Sequence, residues 1–434
     1  MVGVGPPLLI FNEAIGLVPQ WREEFPDLVS VWSDTCRPML GALVEVMSPS
    51  VLILEERIHD AVQLSEIAHL PQRVLIGRQR CEPHPDGAPP GEVHLVPSND
   101  THVHLMRPLA SCGSVFHFKV IPGSREGVEK ALLEQDLDID YLRPNGIERS
   151  MAVLLGNDWG PLERYWTRMY RKQHKPSICL QESVIHLGDS SGRMQWCDYP
   201  FVQGPLSILP LHRQLVFLTG NPRYQDLRPT PGEAQKLALV NSNFTYGIYE
   251  GIRAAWIEDV VSACREAGYH YLISQHPRDR GDLRAYNRIR SDAGAVHDQL
   301  RSHAVLITRF SSLIHEAIAL GRPVIYYNPH AEDMHYDFEP DGRHLHLVRD
   351  RRGMIAALQE VADLGPQAHK ADSFSERYAA RHFGPGDGQA SRRIAEAVMI
   401  IGGVGRRFQQ GRAIDPLGTT VAHVKRAIAQ RFMP

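Results

Sequence analysis

No two cysteines in this chain of 434 residues stand at C-x-x-C or zinc-finger spacing. Cys36, Cys81, Cys112, Cys179, Cys197 and Cys264 are scattered. That excludes a disulfide framework and a structural zinc site, and leaves six reduced core thiols. Net charge is also scarce. Against 47 Lys+Arg there are 50 Asp+Glu, a formal charge of -3. No global field draws the protein onto nucleic acid or an acidic membrane, so any anion must be held locally. Long apolar runs of membrane-spanning length are absent, and no basic region precedes the N-terminal apolar stretch, which places the protein in the cytoplasm. What is present is ordinary globular material, 43% hydrophobic and 22% charged residues, enough for two or three domains with full cores.

Short β-branched apolar runs recur with helical patterns between them, which argues for an α/β fold. In the first half they are Leu8 to Phe11, Val51 to Leu54, Val74 to Ile76, Val93 to Val96, Val115 to Val120, Ala152 to Leu155 and Ser177 to Leu180. In the second half they are Leu215 to Thr219, Leu237 to Asn241, Tyr271 to Ser274, Ala304 to Thr308, Pro323 to Tyr327 and Leu345 to Val348. Ile252, Trp256, Val260 and Cys264 form one face of a helix that Gly268 can end. Pro205, Pro210 and a change of rhythm put a boundary in Gly204 to Arg213. The expected layout is a Rossmann-like domain over 1–205, a second over 206–400 and a basic tail over 401–434.

Three motifs point to chemistry. The strand Ala304 to Thr308 runs into Arg309-Phe310-Ser311-Ser312 and a helix carrying Glu316. Serine hydroxyls and unpaired amides at a helix start favour an anion, and Glu316 can accept from ribose hydroxyls, although the same serines also serve as an ordinary N-cap. The strand before it ends in Gln275-His276-Pro277-Arg278-Asp279. Ligands of open α/β sheets sit beyond the carboxyl ends of strands, so His276 and Arg278 are placed to neutralise a leaving phosphate, if they are not merely a solvent-exposed turn. The third motif is Thr219-Gly220-Asn221-Pro222-Arg223-Tyr224, followed by Asn241-Ser242-Asn243.

In this order, and with Gly321-Arg322-Pro323-Val324-Ile325-Tyr326-Tyr327 behind them, the motifs resemble the nucleotide-binding half of GT-B transferases over about residues 175–345. Within that fold the chain is most similar to bacterial surface-polymer enzymes, the CDP-glycerol glycerophosphotransferases and the Kdo and sialic acid transferases. The resemblance implies a cytidine-nucleotide donor, with His276 and the serine pair on its phosphate, Glu316 near its ribose, and Arg278, Asn221, Arg223 and Asn243 on the same side. Two departures count against glycerol transfer: Arg309 stands where those enzymes carry an acidic residue, and their His-Gly-Thr motif is missing.

In its place, after the strand Ser177 to Leu180, come Glu182, His186 and Asp189. Two carboxylates and an imidazole can supply a general base or a carboxylate nucleophile, or can simply cap backbone amides. This stretch resembles the retaining β-Kdo transferases. Asp136, Asp138 and Asp140 have a metal-binding D-x-D look, but alternation of acid and apolar residues also marks an exposed edge. The loop Asn328 to Gly342 is rich in His, Asp and Glu without any H-x-x-x-H or facial-triad order, and is expected to flank the donor pocket.

The expected protein is therefore a metal-independent GT-B glycosyltransferase of capsule or lipopolysaccharide synthesis, needing no cofactor beyond a nucleotide sugar, CMP-Kdo or a related ulosonic acid. Its acceptor is a glycan or glycolipid. Rivals are a CDP-glycerol-type transferase, a non-hydrolysing nucleotide-sugar 2-epimerase and a catalytically silent GT-B scaffold. In the tail, Val421, Val424, Ile428 and Phe432 share a helical face beside Lys425, Arg426 and Arg431, a pattern for peripheral contact with the inner membrane or for a helix docked on the protein.

Overall fold

The computed structural model describes residues 5–12, 23–34, 37–77, 91–123, 127–184, 193–211, 213, 215–229, 236–245, 247–292, 294–333, 335–365 and 373–404. Ten strands form the first sheet: β1 (Leu8–Phe11), β2 (Val29–Trp32), β3 (Leu52–Glu55), β4 (Val74–Gly77), β5 (Glu92–Val96), β6 (Phe116–Phe118), β7 (Ser150–Leu155), β8 (Ser177–Leu180), β9 (Tyr199–Val202) and β10 (Leu215–Leu218). Six form the second: β11 (Leu237–Ser242), β12 (His270–Gln275), β13 (Arg288–Arg290), β14 (Val305–Thr308), β15 (Val324–Tyr327) and β16 (Leu345–Val348). Between and after them run helices α1 (Arg37–Met47), α2 (Glu56–Ala61), α3 (Asp100–Ala110), α4 (Val128–Glu134), α5 (Pro161–Lys172), α6 (Arg253–Glu266), α7 (Val296–Arg301), α8 (Leu313–Ala319), α9 (Arg351–Leu364), α10 (Ser373–His382) and α11 (Ala390–Val404).

All pairings in both sheets are parallel. Parallel strands are covered on both faces by crossover helices, which is why they read as unbroken apolar runs. The orders are β4-β3-β1-β2-β10-β9-β8-β7-β5-β6 and β13-β12-β11-β14-β15-β16. In the first sheet the winding reverses between β5 and β7, in the second between β11 and β14. Ligand crevices of doubly wound sheets open at such reversals.

The chain changes sheets later than its prolines suggest. β10 pairs with β2 and β9, so the run Leu215 to Leu218 belongs to the first domain rather than opening the second. The reason is packing: Phe217 stacks on Phe201 and Trp32, and Val216 and Leu218 are fully buried beneath. The end of the chain corrects the domain layout again. α11 buries Ile394, Ala397, Val398 and Ile401 in the first domain's core, the isoleucines and valine each contributing about 1.5–3 kcal/mol. Arg393 on the same helix bonds Asp34 and Asp387. The chain thus returns to the domain it left, and the tail face from Val421 to Phe432 lies outside the described residues.

Three strands had no clear sequence signature. β9 carries Pro200 in its middle, β2 is four residues with a serine inside, and β13 is Arg-Ile-Arg at the sheet edge. The D-x-D run is an exposed edge: Asp136, Asp138 and Asp140 face solvent while Leu137 and Ile139 pack inward, and Lys119 pairs with Asp140 at 2.6 Å. Among the described cysteines, Cys179, Cys197 and Cys264 are buried, but Cys112 is exposed and is no core thiol.

Candidate active site

A cleft of about 1110 Å³ opens where the two reversals face each other. From the second domain, Asn243 follows β11, His276 and Arg278 follow β12, and Phe310, Ser311, Ser312 and Glu316 follow β14. From the first, Asp100 and Thr101 open α3, and Glu182 to Val184 follow β8. Arg223, from the segment joining the domains, lines the same cavity. Four arginines (Arg193, Arg223, Arg278, Arg280) and four carboxylates (Asp100, Glu182, Glu250, Glu316) share it. Recognition here rests on where each charge is placed, not on a net field.

Asn221 is the nucleotide-side candidate that does not reach the cavity lining. Its Nδ2 donates to Gln203 at 2.9 Å and its Oδ1 accepts from the Arg223 amide at 2.9 Å. It is a brace for the Arg223 turn. Arg223 in turn pairs with Glu316 at 3.2 Å, and His297 bonds the same carboxylate oxygen at 2.6 Å. Glu316 is only 2% exposed. Burial pushes its carboxyl up, but Arg223 and His297 outweigh that and hold it below the ordinary range. It is therefore an ionised anchor for Arg223, a partner that ribose hydroxyls would have to share.

The ring of His276 accepts the Arg278 amide on Nδ1 at 3.1 Å. That fixes the neutral tautomer with Nε2–H as donor. Burial lowers its pKa against the opposing pull of Asp100 and Asp279, so the ring is neutral at pH 7. The turn is held from below by buried Asp279, which accepts hydrogen bonds from Ser242 Oγ and, at 2.9 Å, the Gly281 amide, and forms an ion pair with Arg253. The serines divide the work expected of them. Ser311 Oγ accepts the Leu313 amide at 3.2 Å, while Ser312, the N-cap residue of α8, makes no side-chain cap. Asn243 Nδ2 donates to the Phe310 carbonyl at 2.7 Å and ties the two strand ends together.

Arg309 is not among the residues lining the cleft. It is buried, bonds Glu332 through both Nε and Nη2, and lies over Phe244 at 5.0 Å and Tyr249 at 5.3 Å. Its charge is compensated within the wall of the cleft by Glu332. The Asn328 to Gly342 loop thus supplies a buttress, with Glu332 further fixed by Asn328.

Glu182 is the catalytic candidate that the structure describes; His186 and Asp189 lie outside the described residues. Glu182 accepts a hydrogen bond from His102 Nε2 at 2.9 Å. The Ser98 amide donates to His102 Nδ1 at 3.1 Å, so the proton must sit on Nε2. Asn99 caps α3 by accepting the His102 amide at 2.9 Å. Burial raises the Glu182 carboxyl, but His102, Arg193 and Arg223 together bring it below the ordinary carboxylate range. His102 was not foreseen from sequence. The cap Ser98-Asn99-Asp100 at the end of an apolar strand was the available signal.

Residues 261–400, about a third of the chain, match the family model described as CDP-Glycerol:Poly(glycerophosphate) glycerophosphotransferase. The matched stretch holds His276, Arg278, the serine pair and Glu316. No curated protein matches the chain. A solved candidate UDP-N-acetylglucosamine 2-epimerase from Listeria monocytogenes is similar at TM-score 0.50 and 17% identity, over 71% of this chain and 95% of that one. The UDP-GlcNAc 2-epimerase of Neisseria meningitidis bound to UDP-GlcNAc gives TM-score 0.48 at 15% identity, over 71% and 99%. The wall teichoic acid polymerase TagF soaked with CDPG gives 0.48 at 11%, over 72% and 89%. The likeness is one of fold: two Rossmann-like domains facing a cleft, the GT-B arrangement.

Proposed function

We propose that this chain is a transferase that moves a group from a cytidine-nucleotide donor onto an acceptor hydroxyl, with donor contacts in the second domain and the acceptor in the first. The observation that carries the reading is that His276, Arg223 and the serine pair share one cavity with Glu182 of the opposite domain, which buried His102 holds from behind. Glu182 takes the proton of the acceptor hydroxyl as that oxygen attacks the donor or, in a two-step retaining transfer, attacks the donor carbon itself and is then displaced by the acceptor oxygen. The bond from the transferred group to the nucleotide phosphate breaks, and the nucleotide leaves with the electron pair. His276 Nε2–H, Arg278 and the serine hydroxyls meet the charge on that phosphate, so the reaction as proposed calls for no metal.

The donor has two readings. The family match over residues 261–400 favours CDP-glycerol, whose glycerophosphate would be transferred. The missing His-Gly-Thr motif and the carboxylate at Glu182 favour a CMP-linked ulosonic acid. Calorimetry with CMP, UDP and ADP tests the nucleotide, and product analysis with the two donors separates the readings. CMP should bind tightest and lose about tenfold affinity in His276→Ala, the scale of one charged hydrogen bond. Equal binding by wild type and variant would remove the phosphate role.

A further inference from the structure

α5 buries one side and leaves a second, oppositely patterned side in water. Trp166, Thr167 and Tyr170 pack against the sheet. On the other side Leu162, Tyr165, Arg168 and Lys172 follow one another at three- and four-residue steps, a single stripe along the helix. Its first half is apolar: Leu162 is 43% exposed, Tyr165 50%, and Trp159 just ahead of the helix 42%. Its second half is cationic, and among the described residues no carboxylate pairs with Arg168 or Lys172. Arg164 and Arg168 are both drawn over the Trp196 ring, at 4.3 and 5.8 Å, which holds two guanidiniums beside the stripe.

Basic residues near a helix C-terminus are favourable in themselves, but that does not account for three large apolar side chains held in water at the other end. An aromatic and leucine patch beside fixed cations is the composition that an anionic lipid surface selects: rings at the headgroup boundary, arginine and lysine on the phosphates. The placement adds a reason. β7 and β8 are neighbours, paired Leu155 with Cys179, so the apolar start of α5 lies at the same sheet end as Glu182. A surface docked there sits beside the cleft.

We propose that the Trp159–Leu162–Tyr165 patch with Arg168 and Lys172 docks the protein on an anionic phospholipid bilayer. This does not depend on which nucleotide the cleft takes. The test uses the full chain and sedimentation with phosphatidylcholine vesicles, with and without phosphatidylglycerol. Wild type should sediment only with the anionic vesicles. Arg168→Glu combined with Lys172→Glu, and separately Leu162→Ser combined with Tyr165→Ser, should each weaken binding about tenfold or more. Both pairs are exposed, and unchanged thermal unfolding midpoints certify the fold. As an independent readout, brominated lipid should quench wild-type tryptophan fluorescence and lose that effect in Trp159→Phe. Failure of wild type to bind anionic vesicles overturns the proposal. So does wild-type binding by both α5 variants, including the case in which Lys425→Glu with Arg426→Glu alone abolishes it and the basic tail is the anchor.

Discussion

Nε2 of His102 stands 2.9 Å from Oε2 of Glu182, and its Nδ1 is occupied by the Ser98 amide, so the ring can only donate to that carboxylate. The first domain thereby presents an oriented, ionised carboxylate to a cleft whose opposite wall carries His276, Arg278 and the serine pair. Removing the ring should slow transfer without touching nucleotide affinity. His102→Phe is expected to lower kcat at least tenfold, about 1.4 kcal/mol of barrier, with the CMP Kd within twofold of wild type.

Gly156 makes that orientation sterically exact to the neighbouring chain: a Cβ there would lie 2.3 Å from His102 Nδ1 and 2.4 Å from its Cγ. No side chain survives such a contact without the ring moving. Gly156→Ala should therefore reproduce the kinetic loss of His102→Phe while leaving CMP binding intact, as read by paired kinetics and calorimetry.

Arg223 and Glu316 are a buried pair whose partners were chosen from different domains' ends. Arg223→Met strands Glu316 with His297 alone, and should cost about 1–3 kcal/mol in denaturant unfolding. Adding Glu316→Gln removes the stranded charge and should recover part of that stability, but not nucleotide affinity. A double variant no more stable than Arg223→Met would show that the pair is not the source of the loss.

Stability should depend on pH through buried neutral histidines. His94, bonded to Tyr170 and Glu92, is lowered by burial from 6.5 to about 4, and His315 among Tyr378 and His382 is lowered as well. Below pH 6.5 the unfolded chain takes up protons that the folded chain refuses. Stability is then flat above pH 6.5 and falls as pH drops toward 4, His94 alone accounting for up to about 3 kcal/mol across that window. Denaturant midpoints from pH 7.5 to 4.5 check this, and His94→Asn should flatten the slope.

Much of the fold was legible because fully buried parallel strands write themselves as apolar runs: Leu8 to Phe11 and Ser177 to Leu180 match β1 and β8 residue for residue. β9 was hidden by Pro200, and the domain crossing by Pro205 and Pro210, which mark short turns within the first domain instead of its end. The second-domain residues that line the cleft at strand ends were readable because strand, turn and helix are contiguous in sequence. The Glu182–His102 contact was not, since 80 residues separate partners that only the β5–β7–β8 order brings together. Asn221 looked like a ligand contact because sequence shows a polar side chain at a strand end, not that Gln203 already occupies it.

The division of labour across the cleft is the central claim, and one experiment reads it directly: donor turnover and CMP affinity measured together in wild type, Glu182→Gln, Asp189→Asn and His276→Ala. Glu182→Gln should lose at least a hundredfold in kcat, about 2.7 kcal/mol, with CMP Kd unchanged within twofold, whereas His276→Ala should weaken CMP binding about tenfold. Glu182→Gln slowed by less than about tenfold, or slowed in step with lost CMP affinity, would contradict the account and put the reacting carboxylate elsewhere.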